Sequence, residues 1–378
     1  MSFPVLFPIF LVVLVDLLAM MMIVPLLPFY AQKFGASATE IGLLASSYAV
    51  CQLFASPLLG ALSDRVGRKR VLLITQIAAL IGFVVMGLAH SLKLLFVSRI
   101  IDGIAAGNLP LAQAAVVDLT PPDKRAKAFG IIGVAFGIGL VLGPAISGWL
   151  AAYNWSYPIY AGAFLACISI VSTWVLFPKG GVNPTHEVKT AISDGGKGLR
   201  TLLVQFFIFV LAFAYFAQGL PLVVQARFNF GPTEVGFLFA YCGVLGIVVQ
   251  GILIGHLVKR WGEARLVVFG FILDVVGYFL LGYVTEIEGI IFASTLFSVG
   301  NSFLRPSLTS LISQSVPEHS QGKVLGLTGS LQSAAHIFAP PLGGLLIDAQ
   351  RFLLWSIALA SISGAGFFMN RGQIYGRK

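Results

Sequence analysis

The sequence predicts an all-α membrane protein, with twelve transmembrane helices in two pseudo-symmetric six-helix bundles, and three observations carry that reading. The chain of 378 residues is 57% hydrophobic and only 10% charged, with a mean hydropathy of +0.92, whereas a soluble domain is about 25% charged. Its apolar residues gather in twelve runs, each near the roughly 20 residues that a helix needs to cross a bilayer core. No alternating strand pattern is visible, and lipid admits only helices or closed barrels. Finally, residues of the first half recur in the second at a nearly constant offset.

The expected spans are 4–31, 40–62, 71–89, 94–118, 128–152, 156–178, 201–226, 234–258, 266–284, 288–314, 322–347 and 352–370. The first lacks the basic flank and small-residue cleavage site of a signal peptide, so it is kept as a membrane helix. Residues 179–200 form the longest polar stretch, rich in Gly, and read as a flexible cytoplasmic linker between the bundles 1–178 and 201–378. With both termini in the cytoplasm, 18 Lys and Arg fall on the cytoplasmic side and 4 on the other, while Arg99 and Arg305 lie inside helices. That bias sets the orientation. It also accounts for the net charge of +9, and the scatter of the basic residues argues against a nucleic-acid partner. The 42 Gly and 31 Phe suit helices packed closely in lipid. Cys51, Cys167 and Cys242 all lie in apolar runs without zinc or disulfide spacing, and read as core thiols.

The repeat is explicit. Thr39, Glu40, Ile41 and Gly42 return as Thr233, Glu234, Val235 and Gly236, an offset of 194. Gly60, Leu62, Arg65, Gly67 and Arg70 return as Gly255, Leu257, Arg260, Gly262 and Arg265 at 195. Pro121, Lys127, Gly130, Pro144 and Gly148 return as Pro317, Lys323, Gly326, Pro340 and Gly344 at 196. Parallel six-helix repeats belong to a transporter architecture with its site at the midplane between halves.

The stretch GALSDRVGRKR fits the pattern G-x-L-x-D-R-x-G-R-(K/R)-(K/R) through Gly60, Leu62, Asp64, Arg65, Gly67, Arg68, Lys69 and Arg70. At these residues the chain resembles the major facilitator superfamily, and the resemblance runs over essentially its whole length. The glycines allow a tight turn, and the cations fix orientation. The resemblance further implies a cytoplasmic latch of Asp64, Arg68 and an acid closing the fourth span, here Asp118. The plainer alternative is cations that only set topology. Lys259 stands where Asp64 would recur, so the latch is expected on one half.

Three further stretches extend the resemblance. LFVSRIIDGIAAG, residues 95–107, is similar to the family's helix 4 motif through Arg99 and Gly103, with Asp102 in place of the usual Gln. Arg99 and Asp102 share a helical face, and the resemblance links the arginine to proton handling. Gly130, Gly139, Gly143, Pro144, Ser147 and Gly148 follow the drug:proton antiporter pattern G-x8-G-x3-G-P-x2-G-G, with serine for one glycine. Gly133, Gly137, Gly139 and Gly143 also form small-residue ridges that let a neighbouring helix approach. Asp16, ahead of Pro25 and Pro28, resembles the acid in the first helix of tetracycline-type and multidrug exporters. A charge there costs about 2.5–3.5 kcal/mol. Protonation removes most of that cost, so Asp16 suits a group that binds a proton and cargo alternately.

By the same resemblance, the first, fourth, seventh and tenth spans surround a central cavity. Gln205, Phe206, Tyr215, Gln218, Asn301 and Arg305 are then its expected lining, suited to an amphipathic organic molecule. Asp274 and His336 fall on peripheral spans and read as structural. The function expected is proton-driven export of an amphipathic, drug-like compound by alternating access. Asp16 carries the proton, and Arg99 and Asp102 modulate it. Alternatives are symport or uniport of a sugar, siderophore, lipid or metabolite, or a non-transporting membrane receptor. An enzyme is not expected, because there is no phosphate loop, no metal-ligand spacing and no Ser/His/Asp set. No cofactor or metal is called for. The expected partners are a small-molecule substrate, protons and the lipid bilayer, with a monomer in the bacterial inner membrane.

Overall fold

A computed structural model describes residues 3–120, 125–177 and 197–369, and among these every element is helical. They are α1 (Phe3–Gln32), α2 (Ala38–Val66), α3 (Arg68–Gly87), α4 (Leu92–Ile104), α5 (Asn108–Leu119), α6 (Arg125–Ala151) and α7 (Tyr157–Leu176). After them come α8 (Lys197–Phe228), α9 (Pro232–Val248), α10 (Ile254–Trp261), α11 (Glu263–Leu281), α12 (Ile287–Gln314), α13 (Glu318–Asp348) and α14 (Phe352–Met369). Counting α4 with α5, and α9 with α10, as single interrupted helices gives twelve. Eleven of the described helical stretches are long and apolar enough to cross a membrane by composition alone.

The two interruptions differ in kind. The fourth span, expected as one helix, breaks at Ala105–Gly107. Pro110 has no N–H for the Ala106 carbonyl, and Ser56 Oγ donates to that oxygen instead at 3.1 Å. Between α9 and α10, Val249–Leu253 forms a π-helical turn. The residues 179–200 expected as linker are helical from Lys197, where α8 begins. The rest of that stretch, and the tail with Arg371, Arg377 and Lys378, lie outside the described residues.

Turn chemistry follows the sequence closely. Gly67 (φ 99°) and Gly262 (φ 79°), one repeat apart, each supply the single positive-φ residue that ends one helix and starts the next. A reciprocal capping box opens α2: Ser37 N donates to Glu40 Oε2 (2.8 Å) and Glu40 N to Ser37 Oγ (3.2 Å).

The chain groups into two packing units. Unit 1 holds residues 1–36, 43–187 and 230–240, and unit 2 holds 37–42, 188–229 and 241–378. Within unit 1, α1 packs on α6 and α7, and α3 on α4 and α7. Within unit 2, the repeat-related α8 packs on α13 and α14, and α11 on α12 and α14. The unit 1 core joins Val12, Val13 and Leu17 to Val71, Leu72, Ala112 and Ala115. That of unit 2 joins Phe206 and Phe209 to Phe271, Leu304 and Leu308. Large apolar side chains also face outward, Trp174 and Phe164 among them, as expected where hydrocarbon is the solvent. The same fact corrects the reading of the cysteines: Cys167 is exposed and Cys51 and Cys242 are half-buried, because a lipid-facing position is as apolar as a core.

Candidate functional site

In unit 1, α1 places Asp16 against α7. Ser169 Oγ donates to Asp16 Oδ1 at 2.9 Å. Gln76 of α3 donates to Ser169 Oγ (2.8 Å) and Thr173 Oγ1 (2.9 Å). Gln76, Ser169 and Thr173 are buried, while Asp16 Oδ2 is buried without a hydrogen-bond partner. The sequence reading missed these three, although Ser169 and Thr173, four apart in an apolar helix, share a face. Asp16 itself is half-buried, its carboxyl tied to α7 through Ser169, which Gln76 ties in turn to α3.

Arg99 and Asp102 form the expected pair on α4, through Nη2 and Oδ2, and both residues are buried. The Arg99 guanidinium also lies 5.8 Å from the Tyr48 ring centroid, within cation–π range. Gly82 of α3 gives the Asp102 carboxyl its room, since a Cβ there would overlap it. Gly103 lets α2 and α4 touch, with an added Cβ falling 2.6 Å from Tyr48 O.

At the junction of α2 and α3, Arg68 gathers three acceptors. Its Nη2 meets Asp64 Oδ1 at 2.5 Å, its Nε meets Asp118 Oδ2 at 2.9 Å, and its Nη1 donates to Ser63 Oγ. Lys69 Nζ donates to the carbonyls of Trp174 and Phe177, each at 2.8 Å, capping the end of α7. Arg65 and Arg70 are exposed, and Gly60 has open space around it.

The glycine pattern of α6 is a docking ridge. An added Cβ at Gly139 would lie 3.0 Å from Leu17 Cβ, and one at Gly143 2.5 Å from Met21 Cβ. Ser147 Oγ donates to Met22 O at 2.6 Å. Gly148 lies against Thr233 and Gly236, and Pro144 O approaches Gly236. The packing of Gly130 is outside the described residues. The repeat reproduces this contact within unit 2, where Gly42 lies against Pro340 and Gly344 against Ala38 and Thr39. Asp348, at the end of α13, accepts there from Ala38 N (2.6 Å), Thr39 N (2.9 Å) and Thr39 Oγ1 (2.5 Å).

The six residues expected to line a cavity in the second half are dispersed. Gln205 is fully buried and donates to Gly366 O at 3.3 Å. Phe206 sits in the unit 2 core, and Tyr215 stacks on Trp355 with centroids 5.6 Å apart. Gln218 Oε1 is buried on the same helix. Asn301 Nδ2 donates towards Phe297 O (2.9 Å), Tyr278 Oη (3.1 Å) and Asp274 Oδ1 (3.2 Å). Arg305 alone of the six lines a described cleft of about 440 Å³, together with Gln250, Pro306, Thr309, Ser310, Ser313 and Gln314. Periodicity places residues on a helix; it does not say which face turns inward, and α8 turns these groups towards α14.

The sequence model described as Major Facilitator Superfamily matches residues 9–340. The chain is 29% identical to the class B tetracycline resistance protein of Escherichia coli, over 92% of this chain and 91% of that one. It is 28% identical to multidrug resistance protein 2 of Bacillus subtilis strain 168, over 89% and 87%. Among solved structures, the human organic anion transporter MFSD10 superposes with a TM-score of 0.75 at 22% identity, covering 97% of this chain and 99% of that one. The nucleoside transporter NupG superposes at 0.78 and 14%, covering 98% and 99%.

Proposed function

The chain belongs to the Major Facilitator Superfamily, and from that premise we propose that it is a secondary exporter exchanging protons for an amphipathic organic compound. The observation that carries the proposal is the Asp16 carboxyl. Its Oδ1 accepts from Ser169, its Oδ2 is buried without a partner, and none of the described ion pairs includes it. Such a group takes a proton on Oδ2 without breaking a hydrogen bond. Losing that proton leaves a charge that costs about 2.5–3.5 kcal/mol in hydrocarbon. A change of that size is enough to bias a two-state rearrangement of the helices around it. Arg99 and Asp102, a second charge pair in the same unit, modulate this step.

Further support comes from the relatives, named for tetracycline and multidrug resistance, which make those compounds the first cargo to try. The Arg68 junction acts as the latch: its three hydrogen bonds form and break with the rearrangement. Both termini face the cytoplasm, on the Lys and Arg bias of the loops. One copy of the chain suffices, since every group invoked belongs to a single chain.

The test is transport in proteoliposomes with an imposed pH gradient, using tetracycline and a cationic dye. The wild-type flux is expected to rise with the gradient and fall when an ionophore dissipates it, and Asp16→Asn is expected to lose that response. Flux indifferent to the gradient for both compounds, or an Asp16→Asn protein with undiminished response, overturns the proposal.

A further inference from the structure

We propose that Gln76 is a positioning residue for the proton of Asp16: it commits the single Ser169 proton to Asp16 Oδ1 and so assigns the exchangeable proton to Oδ2. This deepens the exporter reading and rests on its placing of a proton at Asp16.

Donor count decides the direction of the chain. A serine hydroxyl has one proton to give. Gln76 Nε2 donates to Ser169 Oγ at 2.8 Å and to Thr173 Oγ1 at 2.9 Å. The Ser169 proton is thereby left for Asp16 Oδ1, which it reaches at 2.9 Å. Turned the other way, the amide would take the Ser169 proton on its own oxygen and strip Asp16 Oδ1 of its donor. The buried acceptors left without a partner stand at the two ends of the chain, Gln76 Oε1 and Asp16 Oδ2. A proton arriving on Oδ2 forms one O–H bond, neutralises the carboxylate and breaks none of these hydrogen bonds.

Little else competes for the carboxyl. α6 and α7 contain no Asp, Glu, Lys, Arg or His between Gly130 and Leu176. Asn108 of α5 lies close, but its Oδ1 accepts from Thr75 Oγ1 at 2.5 Å, and Asp16 Oδ2 has no hydrogen-bond partner. Tyr48 of α2 is within electrostatic reach of Asp16 and also of Arg99 and Asp102, which pair with each other. On α3 the charged residues Arg68, Lys69 and Arg70 stand in the first turn, about 9–12 Å before Gln76 at 1.5 Å per residue.

The repeat shows that the fold does not require these polar groups. At offsets of 194 to 196, Asp16, Gln76, Ser169 and Thr173 correspond to Val210, Phe271, Ala365 and Met369. In unit 2, α14 touches α8 and α11 as α7 touches α1 and α3 in unit 1, and there Val210 and Phe271 belong to the apolar core. Unit 1 thus sets polar side chains together at positions that unit 2 fills with hydrocarbon. Burying a polar group costs free energy unless it finds a partner, so packing alone does not account for the set.

The experiment is infrared difference spectroscopy of the purified full-length protein in proteoliposomes, taken between acid and alkaline buffer. The protonated Asp16 carboxyl is the C=O stretch that Asp16→Asn removes. With the proton on Oδ2, the C=O oxygen is Oδ1, and the hydrogen bond from Ser169 lowers its frequency. Ser169→Ala is expected to raise it. Gln76→Met keeps the length of the side chain and removes its donors. The Ser169 hydroxyl is then free to turn to the carbonyl four residues back on α7, and the band is expected to rise as it does in Ser169→Ala. Gln76→Leu is measured in parallel and is expected to match. If Gln76 only tied α3 to α7, its variants would lower the unfolding midpoint and leave the band in place, a result that overturns the proposal. A band unmoved by Ser169→Ala, or no band that Asp16→Asn removes, overturns it as well. Gradient-driven flux of tetracycline is measured on the same preparations. Flux indifferent to the gradient, with the band present and raised in the Ser169 and Gln76 variants, refutes the exporter reading and leaves the positioning role standing.

Discussion

Replacing Gly143 with alanine is expected to loosen α1 from α6. The added Cβ would fall 2.5 Å from Met21 Cβ, 3.1 Å from the Met21 carbonyl carbon and 3.3 Å from Leu18 O. Two of those three atoms are backbone, so no rotamer change relieves the overlap and the helices must separate. Overpacking of this kind costs about 1–3 kcal/mol. Against it stands a gain in helix propensity of about 0.8–1.0 kcal/mol for Gly→Ala, leaving a net loss of up to roughly 2 kcal/mol. Gly133 lies two to three turns earlier on the same helix with nothing within 4 Å of its added Cβ. Gly133→Ala therefore retains only the gain. The assay is thermal unfolding of the purified protein followed by fluorescence-detected size exclusion, where about 2–4 °C accompanies each kcal/mol for a unit of this size. Gly143→Ala is expected to fall by several degrees and Gly133→Ala to hold or rise. Met21→Ala keeps its Cβ, so adding it to Gly143→Ala is expected to give no rescue. Equal midpoints for the two glycine variants, or rescue by Met21→Ala, refutes the reasoning.

Other expectations follow from individual contacts. Burial alone would push Asp348 up, but hydrogen bonds from Thr39 Oγ1 and the amides of Thr39 and Ala38 outweigh it and hold the carboxyl below its usual range. The stability this contributes is present above the ordinary carboxylate pKa and is lost as pH falls through the lowered value. A pH series of unfolding midpoints is expected to show wild type above Asp348→Asn at pH 7, the two converging in acid; a gap independent of pH contradicts it. Gly82→Ala places a Cβ on the Asp102 carboxyl, an overpacking cost of about 1–3 kcal/mol, and is expected to reduce gradient-driven flux. Wild-type flux from Gly82→Ala shows that the Arg99–Asp102 pair has no part in coupling.

Helix number, the repeat and the glycine junctions were legible in the sequence because each rests on a local rule: run length, identical spacing, or a positive φ that only glycine adopts cheaply. Gly67 and Gly262 are the clearest case. The Arg68 contacts with Asp64 and Asp118 were foreseen through the family resemblance, since Asp118 lies 50 residues away. What escaped was angular. Hydropathy is blind to which side of an all-apolar helix faces a neighbour, so the Ser169 hydroxyl that meets Asp16 was not foreseen. Gln205 and Tyr215 were expected at a cavity and lie against α14. The break in the fourth span was readable in principle from Pro110, yet Ser56, the group that satisfies the freed carbonyl, is 50 residues away in sequence.

Packing divides the chain between residues 187 and 188, inside the polar stretch in mid-chain, but exchanges one short segment in each direction. Residues 37–42 group with the second unit and 230–240 with the first. Cutting the gene at that stretch therefore yields two fragments, each carrying a helix start whose natural neighbours are encoded on the other. Complementation from separate plasmids would require the fragments to trade those starts. A bulky replacement at Gly42 would meet backbone atoms of Pro340 and Pro341, the first 298 codons downstream, which no side-chain change there removes.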